Sequence, residues 1–251
     1  MAAEKATALV LRVTEFSETS SVVTLYTREF GKVRALAKGA RRLKGPFESA
    51  LDLLALCRIV FLAKSTDALD LLTEAKLERR FRPPGRDLAS LYGAYYVAEL
   101  LTELTDENDS NPELFDAADQ TLIRLSRGGS VASLILHFEL ITLKILGHLP
   151  SLEMCVECGT RVDTAGRVAF APLAGGVLCA NCRSGQRKVV SVSTGVIREL
   201  RQFSIETLES EREQPLERSL RGELRAVLNH YLNHLLGRRL RMHDYLGTFC
   251  N

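Results

Sequence analysis

The stretch LVLRVTEFSETSSVVTLYTREFGKVRALAKGARRLKG, residues 9–45, alternates apolar and polar side chains with the two-residue period of β-strands. In the first strand Leu9, Leu11 and Val13 are expected on one face, with Arg12 and Thr14 on the other. A β-rich run at 20–27 follows, and Gly31 marks the turn after it. A third strand starts at Lys32, where alternation sets Lys32 and Arg34 opposite Val33, Ala35 and Ala37. Two further runs, LDLLALCRIVFL at 51–62 and ALDLLTEAKL at 68–77, complete five strands, although both have a helix-forming composition. Such a set builds a small closed or sandwiched β domain, and the five-stranded Greek-key OB barrel is one candidate.

Beyond this region the period changes. FRPPGRD at 81–87 reads as a linker, since consecutive prolines and a glycine interrupt both regular structures. Leu88, Leu91, Tyr92, Tyr95 and Tyr96 then fall at helical spacing, as do Leu100, Leu101 and Leu104. Asn111-Pro112 supplies an N-cap and a first-turn proline for a second helix. A third is expected over 131–146, stopped by Gly147 and Pro150. Helical patterns return at 194–203 and 216–240, the last ending in the basic GRRLRMHDYLG. The chain is thus expected to be α+β. A β domain at 1–80 precedes a helical domain at 81–150 and 188–251, interrupted by an insertion at 151–187.

Between the third and fourth helices stands MCVECGTRVDTAGRVAFAPLAGGVLCANC, residues 154–182. Cys155 and Cys158 form one C-x-x-C, and Cys179 and Cys182 another. Two such pairs in tight turns present four thiolates tetrahedrally to one zinc ion. Gly159 provides the left-handed backbone that a metal knuckle needs, and the residues between the pairs can form a short hairpin. Four cysteines close the coordination sphere, so the expected zinc is structural. The compartment agrees: the start of the chain reads as a strand rather than a leader, and the longest apolar run, at 51–63, is broken by Arg58. A reducing cytoplasm, where paired cysteines favour metal over disulfide, is the expectation, with no membrane partner.

The net charge of +2 conceals a strong asymmetry. Arg28, Lys32, Arg34, Lys38, Arg41, Arg42 and Lys44 face a single acid, Glu29, between residues 28 and 44. Nine acids and no Lys or Arg occur between Asp87 and Ile123. The loop KGARRLKG is ill suited to a core and well suited to a phosphate backbone, and Tyr26, Phe30 and Phe47 are either core residues or stacking platforms for bases.

Catalytic signatures are weak. His137-Phe138-Glu139 upstream of C-x-x-C is the H-x-E of zinc-dependent nucleobase deaminases, but Met154 stands where they carry proline and the second cysteine pair would have no role. His230 and His234 lack the glutamate of a zinc protease, and Gly31-Lys32 ends no P-loop. The sequence gives no positive sign of an enzyme and no catalytic residue. A zinc-braced adaptor, its basic loop meeting an acidic protein, is a further alternative.

The order of parts, with E-x-S-x-x-S at 15–20, T-x-x-x-G-K at 27–32, A-K-G-A-R-R at 37–42 and the paired cysteines, resembles the RecO family of bacterial DNA repair and recombination mediators. The resemblance implies an amino-terminal OB fold that binds DNA and a helical domain carrying a zinc ribbon. It implies binding of single- and double-stranded DNA and annealing of complementary strands. It further implies partnership with RecR in helping RecA displace single-strand-binding protein (SSB), and binding of the acidic SSB carboxy-terminal tail through the helical domain. By position, Arg34 and Lys38 are the implied DNA contacts; Lys32, Arg41, Arg42 and Lys44 extend the set on charge alone. Such a protein would be cytoplasmic and associated with the nucleoid.

Overall fold

The computed structural model describes residues 3–42, 45, 47, 50–64, 68–163, 166–205 and 218–249. Two compact units result, Met1–Gly129 and Ser130–Asn251.

The first unit is built on five strands: β1 (Ala3–Glu15), β2 (Ser21–Thr27), β3 (Gly31–Ala37), β4 (Leu56–Leu62) and β5 (Asp70–Arg79). They close in the order β1-β2-β3-β5-β4, with every pairing antiparallel except β3 with β5. This is the OB barrel. The run at 68–77 is strand despite its composition, because β5 is paired on both edges; of the run at 51–62 only the second half extends, residues 52–54 forming a turn. Small side chains fill the interior: Ala6, Ala8, Ala35, Ala37 and Ala75 interleave with Val10, Val23, Leu25, Ile59, Phe61 and Leu72, as the narrow bore of a five-stranded barrel requires.

The expected face of β1 is corrected. Ala6, Ala8 and Val10 line the barrel, while Leu9 lies outside that cluster yet is only 1% exposed. The register with β2 shifts between Val10 and Arg12, so Leu11 is a bulge residue and the alternation changes phase there. Val13, past the bulge, is exposed. Both faces of β1 carry apolar residues because α1 packs on its outer side.

Helices α1 (Leu88–Leu104) and α2 (Pro112–Ser126) complete this unit. Asp87 caps α1, accepting from the Ala89 N–H at 3.0 Å, and Asn111 caps α2 by accepting from the Leu114 N–H at 3.0 Å. The connection between them runs beside β3. The Asn108 N–H donates to the Lys32 carbonyl at 2.9 Å, and a Cβ on Gly31, whose φ is +69°, would stand 1.9 Å from the Asp109 carbonyl oxygen. Only glycine fits there.

The second unit opens with α3 (Val131–Ile145), and Gly147 follows with φ +74° as expected of a helix stop. A three-stranded sheet comes next, formed by β6 (Arg167–Ala171), β7 (Gly176–Leu178) and β8 (Val190–Ser193) in the order β7-β6-β8, with one turn of helix, α4 (Ala180–Arg183), after β7. The hairpin β6–β7 is the one expected between the cysteine pairs. Strand β8 is not foreshadowed by the sequence: it places a third strand beyond residue 187. Helices α5 (Thr194–Ile205), α6 (Arg218–Leu236) and α7 (His243–Phe249) finish the fold. Gly237, at φ +65°, ends α6, so Arg238, Arg239 and Arg241 occupy the turn before α7 rather than the end of one long helix.

Candidate nucleic-acid interface and metal centre

The basic strand and its following turn differ in what holds their cations. On β3, Val33, Ala35 and Ala37 point inward as the alternation requires, and Lys32 and Arg34 point out. Outward does not mean free. The half-buried Lys32 ammonium donates to the Thr102 carbonyl at 2.8 Å and to the Thr105 carbonyl, both at the carboxy-terminal end of α1. There it meets the negative end of the helix dipole. Burial lowers its pKa, opposed by the nearby Asp106 and Glu107. Arg34 is exposed and reaches Glu107 at 3.4 Å. Arg28 grips Asp116 through two hydrogen bonds of 2.8 and 2.9 Å, and Arg79 pairs with Asp119. The acidic 87–123 run is therefore in part the countercharge of the barrel beside it.

The turn after β3 is different. In residues 38–42 the side chains of Lys38, Arg41 and Arg42 are exposed, while Gly39, at φ +80°, is buried and Ala40 packs against the barrel core. Among the described residues no side-chain partner holds Lys38 or Arg42. Arg41 ties this turn to the β1–β2 turn: its backbone N–H donates to the Thr19 carbonyl at 3.2 Å, its guanidinium to the Ser17 carbonyl at 3.1 Å, and the same group lies 3.2 Å from Glu15. Lys44 lies outside the described residues. Of the aromatic residues near the loop, Tyr26 is fully buried with its ring stacked on Phe115 at 6.2 Å, Phe47 belongs to the barrel core, and Phe30 packs edge-on against Phe61 at 5.4 Å. All three are packing residues. Phe16, which the sequence reading passed over, is 64% exposed. The signal for it was an aromatic residue set among the polar residues of a turn.

In the second unit the four cysteines converge as their spacing predicts. The Sγ atoms of Cys155, Cys158, Cys179 and Cys182 lie within 4.8 Å of one another. Cys158 and Cys179 are 3.7 Å apart, against the edge of about 3.8 Å in a tetrahedral zinc tetrathiolate with 2.3 Å bonds. The first pair sits in a knuckle closed by Gly159 N–H to the Cys155 carbonyl at 2.9 Å, with Gly159 at φ +69°; the second caps α4. Burial raises the Cys155 thiol, yet backbone N–H groups of Cys179, Cys158 and Glu157 outweigh it and hold it down at about 6. Hydrogen bonds with Cys179 and Cys158 push Cys182 up to about 12. The four sulfurs can hold a metal ion.

This centre is fastened to the surrounding helices. The Glu223 carboxylate on α6 accepts from the Ser193 N–H at 3.0 Å, the Ser193 hydroxyl and Arg167 at 2.9 Å. Burial pushes that carboxyl up, but the Ser193 hydrogen bonds and the Arg167 charge prevail and lower it. Phe170 meets Tyr231 edge-on at 6.3 Å, and the Tyr231 hydroxyl donates to the His148 carbonyl at 2.8 Å. Glu139, the acid of the H-x-E, is fully buried and paired with Arg225 at 2.6 Å.

Comparison with known proteins agrees with this architecture. Residues 1–81 match the family model described as Recombination protein O N terminal, and residues 85–243 match Recombination protein O C terminal. The chain belongs to the RecO family. It is 46% identical to the DNA repair protein RecO of Rhodopirellula baltica over 79% of this chain and 74% of that one. It is 34% identical to that of Anaeromyxobacter sp. strain K over 96% and 95%, and 33% identical to that of Moorella thermoacetica over 80% and 74%. With RecO membership comes a role in DNA repair and recombination as a mediator, not as an enzyme. No helix among the described residues is long and apolar enough to cross a membrane.

Proposed function

We propose that this RecO-family chain is a cytoplasmic, nucleoid-associated mediator. It binds single- and double-stranded DNA, anneals complementary strands and, with RecR, helps load RecA onto DNA coated with SSB. In this reading residues 1–80 hold DNA, and 81–150 with 188–251 form the helical body. Residues 151–187 carry one structural zinc ion on Cys155, Cys158, Cys179 and Cys182. The observation that carries the DNA assignment is the turn of exposed cations on an OB barrel. Annealing needs phosphates neutralised and bases left accessible, and no nucleotide hydrolysis.

Lys38 and Arg42 are assigned to phosphate directly, and Lys44, outside the described residues, joins them on charge alone. Arg34 joins by exchanging its exposed carboxylate partner for phosphate, a small cost because surface ion pairs contribute about 1 kcal/mol or less, and Arg41 adds its charge to the site while it stays bonded to Glu15 and the Ser17 carbonyl. Lys32 acts through the strand, since its ammonium anchors β3 to α1. The test is anisotropy of a labelled single strand against salt concentration. Replacing Lys38 and Arg42 with Ala removes two phosphate contacts and should flatten the log–log salt slope by about 1.4. An unaltered slope would rule out the turn as the DNA site.

The acidic SSB tail is assigned to the second unit, in a groove lined by Leu149, Leu152, Met154, Arg198, Arg201 and Ile205. Met154 and Ile205 are exposed apolar surface and Arg198 is an exposed cation, the complement of an acidic peptide with apolar side chains. Arg198→Glu should abolish binding of a tail peptide; retained binding would place the tail elsewhere.

A further inference from the structure

We propose that Phe16 is a stacking platform for an unpaired base, making the barrel favour single-stranded over double-stranded nucleic acid. The inference rests on the DNA reading of the adjacent basic turn and deepens it.

Among the described residues of the first unit Phe16 is the one exposed phenylalanine. Its exposure does not come from a slack loop. The Phe16 N–H donates to the Ser20 carbonyl at 3.0 Å, the Ser17 N–H to the same carbonyl at 3.1 Å, and the Ser20 N–H to the Ser17 hydroxyl at 3.2 Å. The turn is closed on itself with the ring carried outside. Arg41 then locks it to the basic turn, its guanidinium contacting Glu15 and the Ser17 carbonyl, the neighbours of Phe16 on either side. An aromatic ring on a braced turn, joined to a second turn bearing Lys38 and Arg42, combines what single-strand binding uses: a flat apolar face for a base and cations for its backbone. The other aromatic residues of the barrel are packed inside or against α2, so they cannot serve. Paired bases in a duplex offer no free face to such a ring without leaving the stack.

The distinction from the basic turn is chemical. Cations bind any phosphate backbone and carry the salt dependence. Phe16 carries no charge, so its contribution should depend on bases and not on salt.

The test compares the wild type, Phe16→Ala and Lys38→Ala/Arg42→Ala in binding a thymidine oligomer, an abasic oligomer of equal length and a duplex. Phe16→Ala should weaken binding to the thymidine oligomer roughly 5- to 100-fold, with an unchanged salt slope and unchanged affinity for the abasic strand and the duplex. Phe16→Trp provides a second measurement. The protein contains no tryptophan, so this would be its single indole, and its fluorescence should be quenched by the thymidine oligomer and not by the abasic one. If the cation variant loses affinity while Phe16→Ala binds as the wild type, stacking is wrong and the DNA turn stands. Equal losses by Phe16→Ala on single strand, abasic strand and duplex would also overturn stacking. If neither variant changes binding, the assignment of DNA to these turns falls with it.

Discussion

The molecule contains two small β assemblies that cohere by different means. The barrel closes five strands on one another, so each strand is paired on both sides around a shared apolar interior. The ribbon has strands of 5, 3 and 4 residues and an open sheet. Its interior is too small to be stable by burial alone. In place of area it has fixed points: four converging sulfurs, the Glu223 carboxylate, and the Ser151 backbone, which pairs with β7 through bonds of 2.8 and 2.9 Å. Burial is a sum over many contacts and tolerates the loss of one. A handful of fixed points does not.

The sharpest way to break this contrast is to remove the metal proposed for the four sulfurs. Chelation, or Cys179→Ser, should abolish amide-exchange protection across 155–193 and leave strands β1 to β5 protected. Structural zinc in isolated fingers is worth on the order of 10 kcal/mol. Uniform loss along the chain would show that the two assemblies do not stand independently, and uniform retention that the ribbon does not depend on the metal. Next in size, Gly31→Ala inserts a methyl group into the Asp109 carbonyl at a left-handed position. Denaturant unfolding should show a loss of about 2–4 kcal/mol, and less than 1 kcal/mol would mean that the close approach is not maintained in solution.

A smaller effect is expected at Glu223. Glu223→Gln should cost about 1–2 kcal/mol at neutral pH by weakening its bonds to Ser193 and Arg167. Because folding lowers this carboxyl's pKa, its stabilisation is complete above the unfolded value of about 4.3 and is lost as pH falls through the folded value. The two proteins should therefore converge in acid, whereas a constant difference would argue for a packing effect. Least of all, Arg28→Ala removes a pair whose members are 47% and 53% exposed. Its cost should be the smallest of the four and vanish in high salt; a large, salt-insensitive loss would make this contact part of the barrel's cohesion.

Local chemistry made most of the architecture legible. Asn111-Pro112 announced a helix because a cap acts within three residues, and the paired cysteines announced a metal site because ligand spacing is local. The alternation on β3 was readable since one of its faces is wholly apolar. Strand β1 was misread because both its faces are covered and a bulge at Leu11 changes its phase. Strand β8 is four residues long and adjoins a helix without a turn signal. What occupies Lys32 and Arg34 comes from seventy or more residues away, and no pattern within β3 records it. The basic cluster was therefore legible as a group, while the division between cations already engaged and those projecting into solvent required the fold.

The Lys32 ammonium also decides where the chain can be divided. Sequence relatedness draws a border at residues 81–85, whereas contacts draw it after Gly129. A piece ending at 81 would leave that ammonium without the carbonyls of α1 and strip Tyr26 of Phe115. The heritable module and the mechanical module differ by two helices, and a self-sufficient barrel should be sought in residues 1–129.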